Sequence, residues 1–493
     1  MSKFNELSKH FIKISRFNHL ASICGWDQAA MMPSGGNDAR GAALAELALH
    51  VHDLQNKPEL AEWYEAADLE DLTKEQRATL SEMKRSWEND KIIPSDLVEA
   101  KSLASSKCEH AWRTQRGKND WAGFAVNFEE IVKLSQEEAQ IRAERAGTSR
   151  YDAMLNLYEP GVTTENLNAI FADVKTWLPN MVTEIIEKQK SETVMGFGND
   201  FLIEKQKLLG LDTMKLLGFD FNHGRLDVSV HPFCGGVPTD VRITTRYEEN
   251  EFISSMMGVV HETGHACYEQ GLPKHLAGLP SGTARSMGIH ESQSLFFEMQ
   301  LGRSKEFLGL ISPLLNNLFE EQNAGAFGAD NLFKAYTRVE AGYIRVDADE
   351  ATYPAHVILR YEIERDLVNG VIGFKDVPEI WDAKMQEYLG LSTKDNFKDG
   401  CMQDIHWTWG AFGYFPSYTL GAMYAAQFKA AMLRTVDVNK AINSNDLSPI
   451  FNWLSQNIWQ KASLFSTDEL VAQATGETLN ASYFKQHLQN RYL

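Results

Sequence analysis

The sequence has little of what marks secreted, membrane or nucleic-acid-binding proteins. Its five cysteines, Cys24, Cys108, Cys234, Cys267 and Cys401, are odd in number, far apart and form no CxxC pair. Neither a disulfide framework nor a cysteine zinc site is indicated. No stretch approaches the ~18 consecutive apolar residues of a membrane span. The opening run MSKFNELSKHFIKISRFNHL carries charge at helical spacing and lacks the uninterrupted apolar core of a signal peptide. A cytoplasmic location is therefore expected. Basic residues are outnumbered, 48 against 67 acidic, for a net charge of −19. Such a surface repels phosphate backbones and anionic lipid, so neither nucleic acid nor membrane is an expected partner. Any anionic substrate group has to be met by locally placed Arg, His or metal. Linkers are missing too: no Pro- or Ser-rich stretch and no low-complexity run divides the chain. Residues 1–493 read as a single domain, a continuous helical body with a cleft.

What the sequence does have is helical periodicity. Leu44, Leu47, Val51 and Leu54 recur at three- and four-residue steps, and the same spacing returns between Leu80 and Trp112. Residues 118–146 read as one long amphipathic helix ending before Gly147. Similar patterns occupy 164–188, 305–340, 355–368, 375–389 and 480–492, with only 14 prolines in the chain to interrupt them. The exception is 224–247. Leu226–His231 and Val241–Tyr247 alternate apolar and polar residues around Cys234-Gly-Gly-Val-Pro-Thr239, a pattern that predicts a β-hairpin. Its exposed edge is suited to an extended peptide or, equally, to capping the core.

Just after this region, Ile253, Met256, Met257, Val260, Gly264 and Cys267 fall on one stripe of a helix. That helix carries His261-Glu262-Thr263-Gly264-His265. Histidines at i and i+4 project one turn apart from the same face and can share one zinc ion, with Glu262 set beside a water on that metal. The competing reading is a pair of core histidines satisfied by hydrogen bonds. Gly264 argues against it: a mid-helix glycine costs about 1 kcal/mol relative to Ala, which makes sense where something approaches the backbone. A catalytic zinc needs a third protein ligand and one open position. Glu291, on a second helix predicted from Ser286 after the loop 271–282, is the leading choice. Glu269, Glu298 and His290 are alternatives, and His290 can instead orient a neighbouring ligand.

These residues, with others, make the chain resemble the carboxypeptidase Taq family of metallocarboxypeptidases. The resemblance rests on Asp240-Val-Arg242-Ile-Thr244, His261–His265, His290-Glu291-Ser292, Ile344-Arg345-Val-Asp-Ala348-Asp349 and Gly400-Cys-Met-Gln403-Asp404-Ile-His406-Trp407. Trp26-Asp27-Gln28 and Met32-Pro33-Ser-Gly35-Gly36 belong to the same pattern. It implies a mainly α, two-lobed protein with a deep groove and a small sheet beside the motif helix, usually a homodimer. It also implies removal of single amino acids from peptide C-termini, with His261, His265 and Glu291 holding zinc or cobalt and Glu262 as base.

Metal-assisted hydrolysis needs a donor for the oxyanion that appears in the transition state. His406 and Tyr418, in the aromatic stretch 405–421, are the candidates, the alternative being that they are core residues. A carboxypeptidase must also grip a free α-carboxylate, for which the Arg fork is best suited. Arg345 is the candidate, unless a salt bridge to Asp347, Asp349 or Glu350 uses it up. Asp240 and Arg242 are further substrate-binding candidates or a latch on each other, and His231 is a possible substrate contact. Two other functions fit parts of the pattern: an endo- or dipeptidyl-acting zinc peptidase, and a non-catalytic metal-binding scaffold. The second requires an impaired site, whereas every expected group is present.

Overall fold

The computed structural model describes residues 2–230, 232–320 and 324–493. Among them helices dominate, and the strands form one small sheet. The predicted 118–146 helix is Trp121–Ala146. Asp120 accepts from the Gly123 N–H at its start, and Gly147 closes it at φ 69°. Thr164–Gln189, Tyr353–Val368, Val377–Leu389 and Ser482–Tyr492 fall where periodicity places helices. The 305–340 pattern is not one helix: Lys305–Leu318 and Ala329–Tyr336 are separate. Between them Phe319 turns extended, and its ring joins Phe201, Phe252 and Phe327 in the core. Aromatic burial outweighs helix continuity there.

The sheet corrects the predicted hairpin. β1 (Gly224–Val228), β2 (Phe233–Val237) and β3 (Asp240–Thr245) lie in the order β1-β3-β2. The two alternating runs do pair, but in parallel. The hairpin partner of β3 is β2, the Gly-containing segment read as the turn, and Pro238-Thr239 alone makes the reversal. Gly236, at φ +94°, has no room for a Cβ against the Asp240 carbonyl. Val241 and Ile243 from β3 pack with Val259 and Ala266, which fastens the sheet to the motif helix, Ile253–Gly271. A second satellite core, including Phe4, Leu7, Tyr64, Leu80 and Met83, gathers the N-terminal helices. The main core runs through the rest of the chain.

One buried carboxyl joins the pieces that surround the motif helix. Glu159 is fully buried and accepts from the Gly288 N–H and from the Ser417 hydroxyl at 2.7 Å. It thereby ties the 156–163 loop to the starts of two helices, Met287–Leu295 and Pro416–Met432. Its second oxygen has no hydrogen-bond partner among the described residues. Burial pushes the carboxyl up from its ordinary 4.5 to about 7. A raised folded value gives stability that is full below the unfolded value and is lost as pH rises through the folded one. This group alone should therefore remove roughly 2–3 kcal/mol between pH 5 and 8. Glu159→Gln, neutral throughout, is expected to flatten that decline. Urea midpoints measured at both pH values check it; parallel slopes for wild type and variant contradict it.

Candidate metal centre and active site

The motif helix places His261 and His265 one turn apart, with ring centroids 5.0 Å apart. Its buried stripe (Met256, Val259, Val260, Ala266, Tyr268) sets the rotation of the helix. The second helix, Met287–Leu295, is capped by Ser286, whose hydroxyl accepts from the Ile289 N–H. It lies against the motif helix at Gly264, where an added Cβ would stand 2.5 Å from the Gln293 carbonyl and 2.7 Å from Ser294 Cα. The glycine in the middle of the motif is therefore a contact point between backbones. Overpacking at such a contact costs about 1–3 kcal/mol. Gly421, on the Pro416–Met432 helix, presses on the other side, where a Cβ would meet Glu291 Cβ at 2.8 Å. The helix that carries Glu291 is thus held between two helices that have no side chain at the contact.

This packing brings the Glu291 carboxylate 3.3 Å from His265 Nε2 and 3.9 Å from His261 Nε2. Ligand atoms of the three residues lie within 4.8 Å of one another. Their outer nitrogens are engaged elsewhere. His261 Nδ1 is 2.9 Å from Glu298 Oε2, and Arg303 donates to Glu298 Oε1 at 2.6 Å. His265 Nδ1 is 2.6 Å from His290 Nδ1, and His290 Nε2 is 2.9 Å from Glu269 Oε1. With Nε2 of both histidines turned towards Glu291, Nδ1–H is the donor on each, the tautomer a metal-ligating imidazole needs. Glu269 and Glu298, the rival third ligands, approach the outer nitrogens of this network. Glu298 sits in a π-helical stretch, Phe296–Gly302, that re-aims the chain after the second helix.

The electrostatics fit a cation. Burial opposes a charge on His261, yet Glu298 and Glu291 raise its pKa to about 10, and carboxylates that hold a proton this firmly can hold a divalent ion in its place. His265 is lowered to about 4 by burial, which keeps its ring neutral. Burial raises Glu262, between them in sequence, to about 7. With a metal ion in place of the His261 proton, two imidazoles, one carboxylate and a second carboxylate alongside make a donor set for zinc or a similar ion.

Beside the centre lies an aromatic wall. Tyr418, one turn before Gly421 on the same helix, packs edge-on against Tyr414, with ring centroids 5.3 Å apart. His406 Nε2 is 3.5 Å from the Tyr418 hydroxyl, and burial drives its pKa down to about 3, so the ring is neutral. Arg345 is buried against this wall, 4.9 Å from the Tyr418 ring, and donates to the Tyr353 hydroxyl at 2.9 Å. Its carboxylate partner is Asp404, through Nη2 to Oδ1 at 2.9 Å and Nε to Oδ2 at 3.2 Å. None of the three local acids is involved. Asp349 caps the turn at Ala351 and Thr352, while Glu350 holds His487 and Arg491 of the C-terminal helix.

The other candidates stand apart. Asp240 and Arg242 form a bidentate pair at 2.9 Å, with the guanidinium 4.3 Å from the Trp26 ring. They latch the sheet to the first helix, Lys3–Ala30. His231 lies outside the described residues. A cavity of about 1030 Å³ opens between the first helix, the Pro238-Thr239 turn and the end of the motif helix. It reaches Glu269 and Gln270 but not His261 or Glu291. Among functional groups that sequence reasoning did not single out are Tyr353, Tyr414 and Arg303. Only the aromatic density of 405–421 hinted at Tyr414.

A His–Glu base motif, a carboxylate from a following helix and imidazoles braced from behind define a metallopeptidase on a helical scaffold. Comparison with known proteins agrees. The chain belongs to the carboxypeptidase Taq (M32) metallopeptidase family, whose model matches residues 6–492. It is 35% identical to "Thermostable carboxypeptidase 1" of Thermus thermophilus, over 96% of this chain and 95% of that one. To "Carboxypeptidase 1" of Bacillus subtilis it is 34% identical, over 97% and 96%. Among solved structures, metallocarboxypeptidase 1 of Trypanosoma cruzi is 47% identical with a TM-score of 0.97, covering 99% of both chains. The M32 carboxypeptidase of Deinococcus radiodurans superposes at 0.95 with 31% identity, covering 100% of this chain and 99% of that one.

Proposed function

We propose that this metallocarboxypeptidase removes single residues from the free C-termini of peptides with broad side-chain specificity. His261, His265 and Glu291 would hold zinc, with cobalt as an alternative. The observation that carries the reading is the pairing of a three-residue donor cluster with a buried arginine against Tyr418, which stands one helical turn from the glycine that packs on Glu291.

A divalent ion in that cluster supplies Lewis acidity to the scissile carbonyl and to water. The protein's own groups do the rest. Glu262 takes the proton of the attacking water and returns it to the leaving amine. Tyr418 donates to the developing oxyanion, and neutral His406 fixes the phenol's direction. Arg345 receives the α-carboxylate through the edge of its guanidinium that Asp404 leaves open, which sets the register at one residue from the end. Asp240 and Arg242, paired with each other, act on substrate only through the placement of the sheet. One domain, working as a homodimer in the cytoplasm, completes the reading. No described helix is long and apolar enough to cross a membrane.

The test is release of free amino acid from a short unblocked peptide by metal-loaded and chelated protein, with a C-terminally amidated peptide as control. Release that chelation stops, that zinc or cobalt restores and that amidation blocks is the expected result. Internal cleavage of the amidated peptide would point to an endo- or dipeptidyl-acting enzyme. No cleavage with either metal would favour the scaffold reading.

A further inference from the structure

Behind Arg345 runs a row of buried charges that metal chemistry does not require. Asp404 accepts from Arg345 and also, at 2.8 Å, from Arg360 Nη1. Arg360 Nε donates to Glu364 at 3.2 Å. The side chains of Arg345 and Asp404 are 7% and 8% exposed, and those of Arg360 and Glu364 are 1% and 0%. Glu364, at the deep end, also accepts from the Trp407 indole N–H at 2.7 Å, the Gly413 N–H at 3.2 Å and the Tyr151 hydroxyl at 3.3 Å. Its charge is therefore spread over neutral donors. The Arg360 guanidinium is wedged 3.8 Å from the Phe415 ring and 4.3 Å from the Trp407 ring. Its Nη2 has no hydrogen-bond partner among the described residues.

As a device for stability this row is a poor choice. A fully buried cation with an unsatisfied N–H is commonly matched or bettered by an apolar side chain of similar volume. As an electrostatic device it has a clear logic. Asp404 alone, bidentate to Arg345, would close a neutral pair and leave little field for an incoming carboxylate. A second cation on the far side of Asp404 makes the trio net positive, with Arg345 at its less buried end and Glu364 the farthest of the row from it. Because the medium is dry, that charge is weakly screened.

We infer that Arg360 is a positioning residue for recognition of the peptide C-terminus: it shares Asp404 and so keeps Arg345 both oriented and uncancelled. The inference rests on Arg345 as the α-carboxylate clamp. It predicts opposite signs for two neutralising substitutions in the same row. Arg360→Met should raise KM for a free-acid peptide on the order of tenfold, with at most about a twofold fall in kcat. Glu364→Gln, which removes the distal negative charge but keeps an acceptor, should lower KM below the wild-type value. Arg360→Lys, which keeps the charge, should restore KM to within about twofold of wild type.

A merely structural role would raise KM and lower kcat in both neutral variants, and lysine would not rescue. That pattern, or an unchanged KM in Arg360→Met, overturns the inference. If Arg360→Met does not fold, Glu364→Gln decides alone: a lower KM supports the proposal, and an equal or higher one overturns it. Arg345→Gln in the same assay separates the two levels. If it leaves KM and kcat unchanged, the clamp reading itself fails. If it is impaired while Arg360→Met is not, only the role of Arg360 falls.

Discussion

Glu262→Gln is expected to lower kcat roughly 10³-fold while metal content and KM stay near wild type. The substitution keeps the volume and one acceptor oxygen of a side chain that is 8% exposed on a well-packed helix. The fold therefore has no cavity or clash to absorb. What disappears is the ability to accept the water's proton and hand it on to the leaving amine, which the proposed mechanism needs in every turnover. Single-turnover kinetics, with metal measured on the same sample, make the check. A variant that keeps more than a tenth of the activity would place the base elsewhere. One that loses its metal would mean that Glu262 supports the centre as well as the chemistry.

The second large effect is at Arg345. Arg345→Gln is expected to cost about 10²–10³ in kcat/KM on free-acid peptides, the usual consequence of removing one partner of a buried, hydrogen-bonded charge pair. It should also abolish the preference for free acid over amide. Because the change strands Asp404 between one arginine and a neutral amide, some loss of stability accompanies it. Arg345→Lys separates the two effects, since the charge remains but the fork that meets two oxygens at once is gone. The measurement is the ratio of free-acid to amide hydrolysis at a temperature where all three proteins are folded. A ratio unchanged in both variants would remove Arg345 from carboxylate recognition.

How much of this was legible depends on how far apart in sequence the partners lie. His261, Glu262 and His265 share five consecutive residues, so helical geometry alone aligns them. Gly264 announced a close approach before its cause, the Gln293–Ser294 backbone, could be seen. The partner of Arg345 was the harder problem. Three acids within five residues invited a local salt bridge, while Asp404 waits 59 residues downstream and reaches Arg345 only through the tertiary fold. The hairpin went astray for a local reason: Cys234-Gly-Gly-Val carries turn composition but lies extended against β3. Phe319 broke a predicted helix because Phe201 and Phe252 from distant segments, together with nearby Phe327, claimed it, and no periodicity in 305–340 records the distant pair. The arginine behind Asp404 was invisible for the same reason, and Glu269 and Glu298, visible as rival ligands, took their place behind the imidazoles only through contacts made by the fold.

The contact of bare backbone at Gly264 and Gly421 bears on how the protein meets its ion. In small zinc-folded modules the ligands find one another only when the metal arrives, so the free energy of binding is also that of folding. Here helix packing assembles the ligands and internal hydrogen bonds orient their rings. Loading the site then asks little of the rest of the chain. Metal occupancy is then expected to be a separable variable, with chelation lowering turnover while the fold's unfolding midpoint stays near that of the loaded protein.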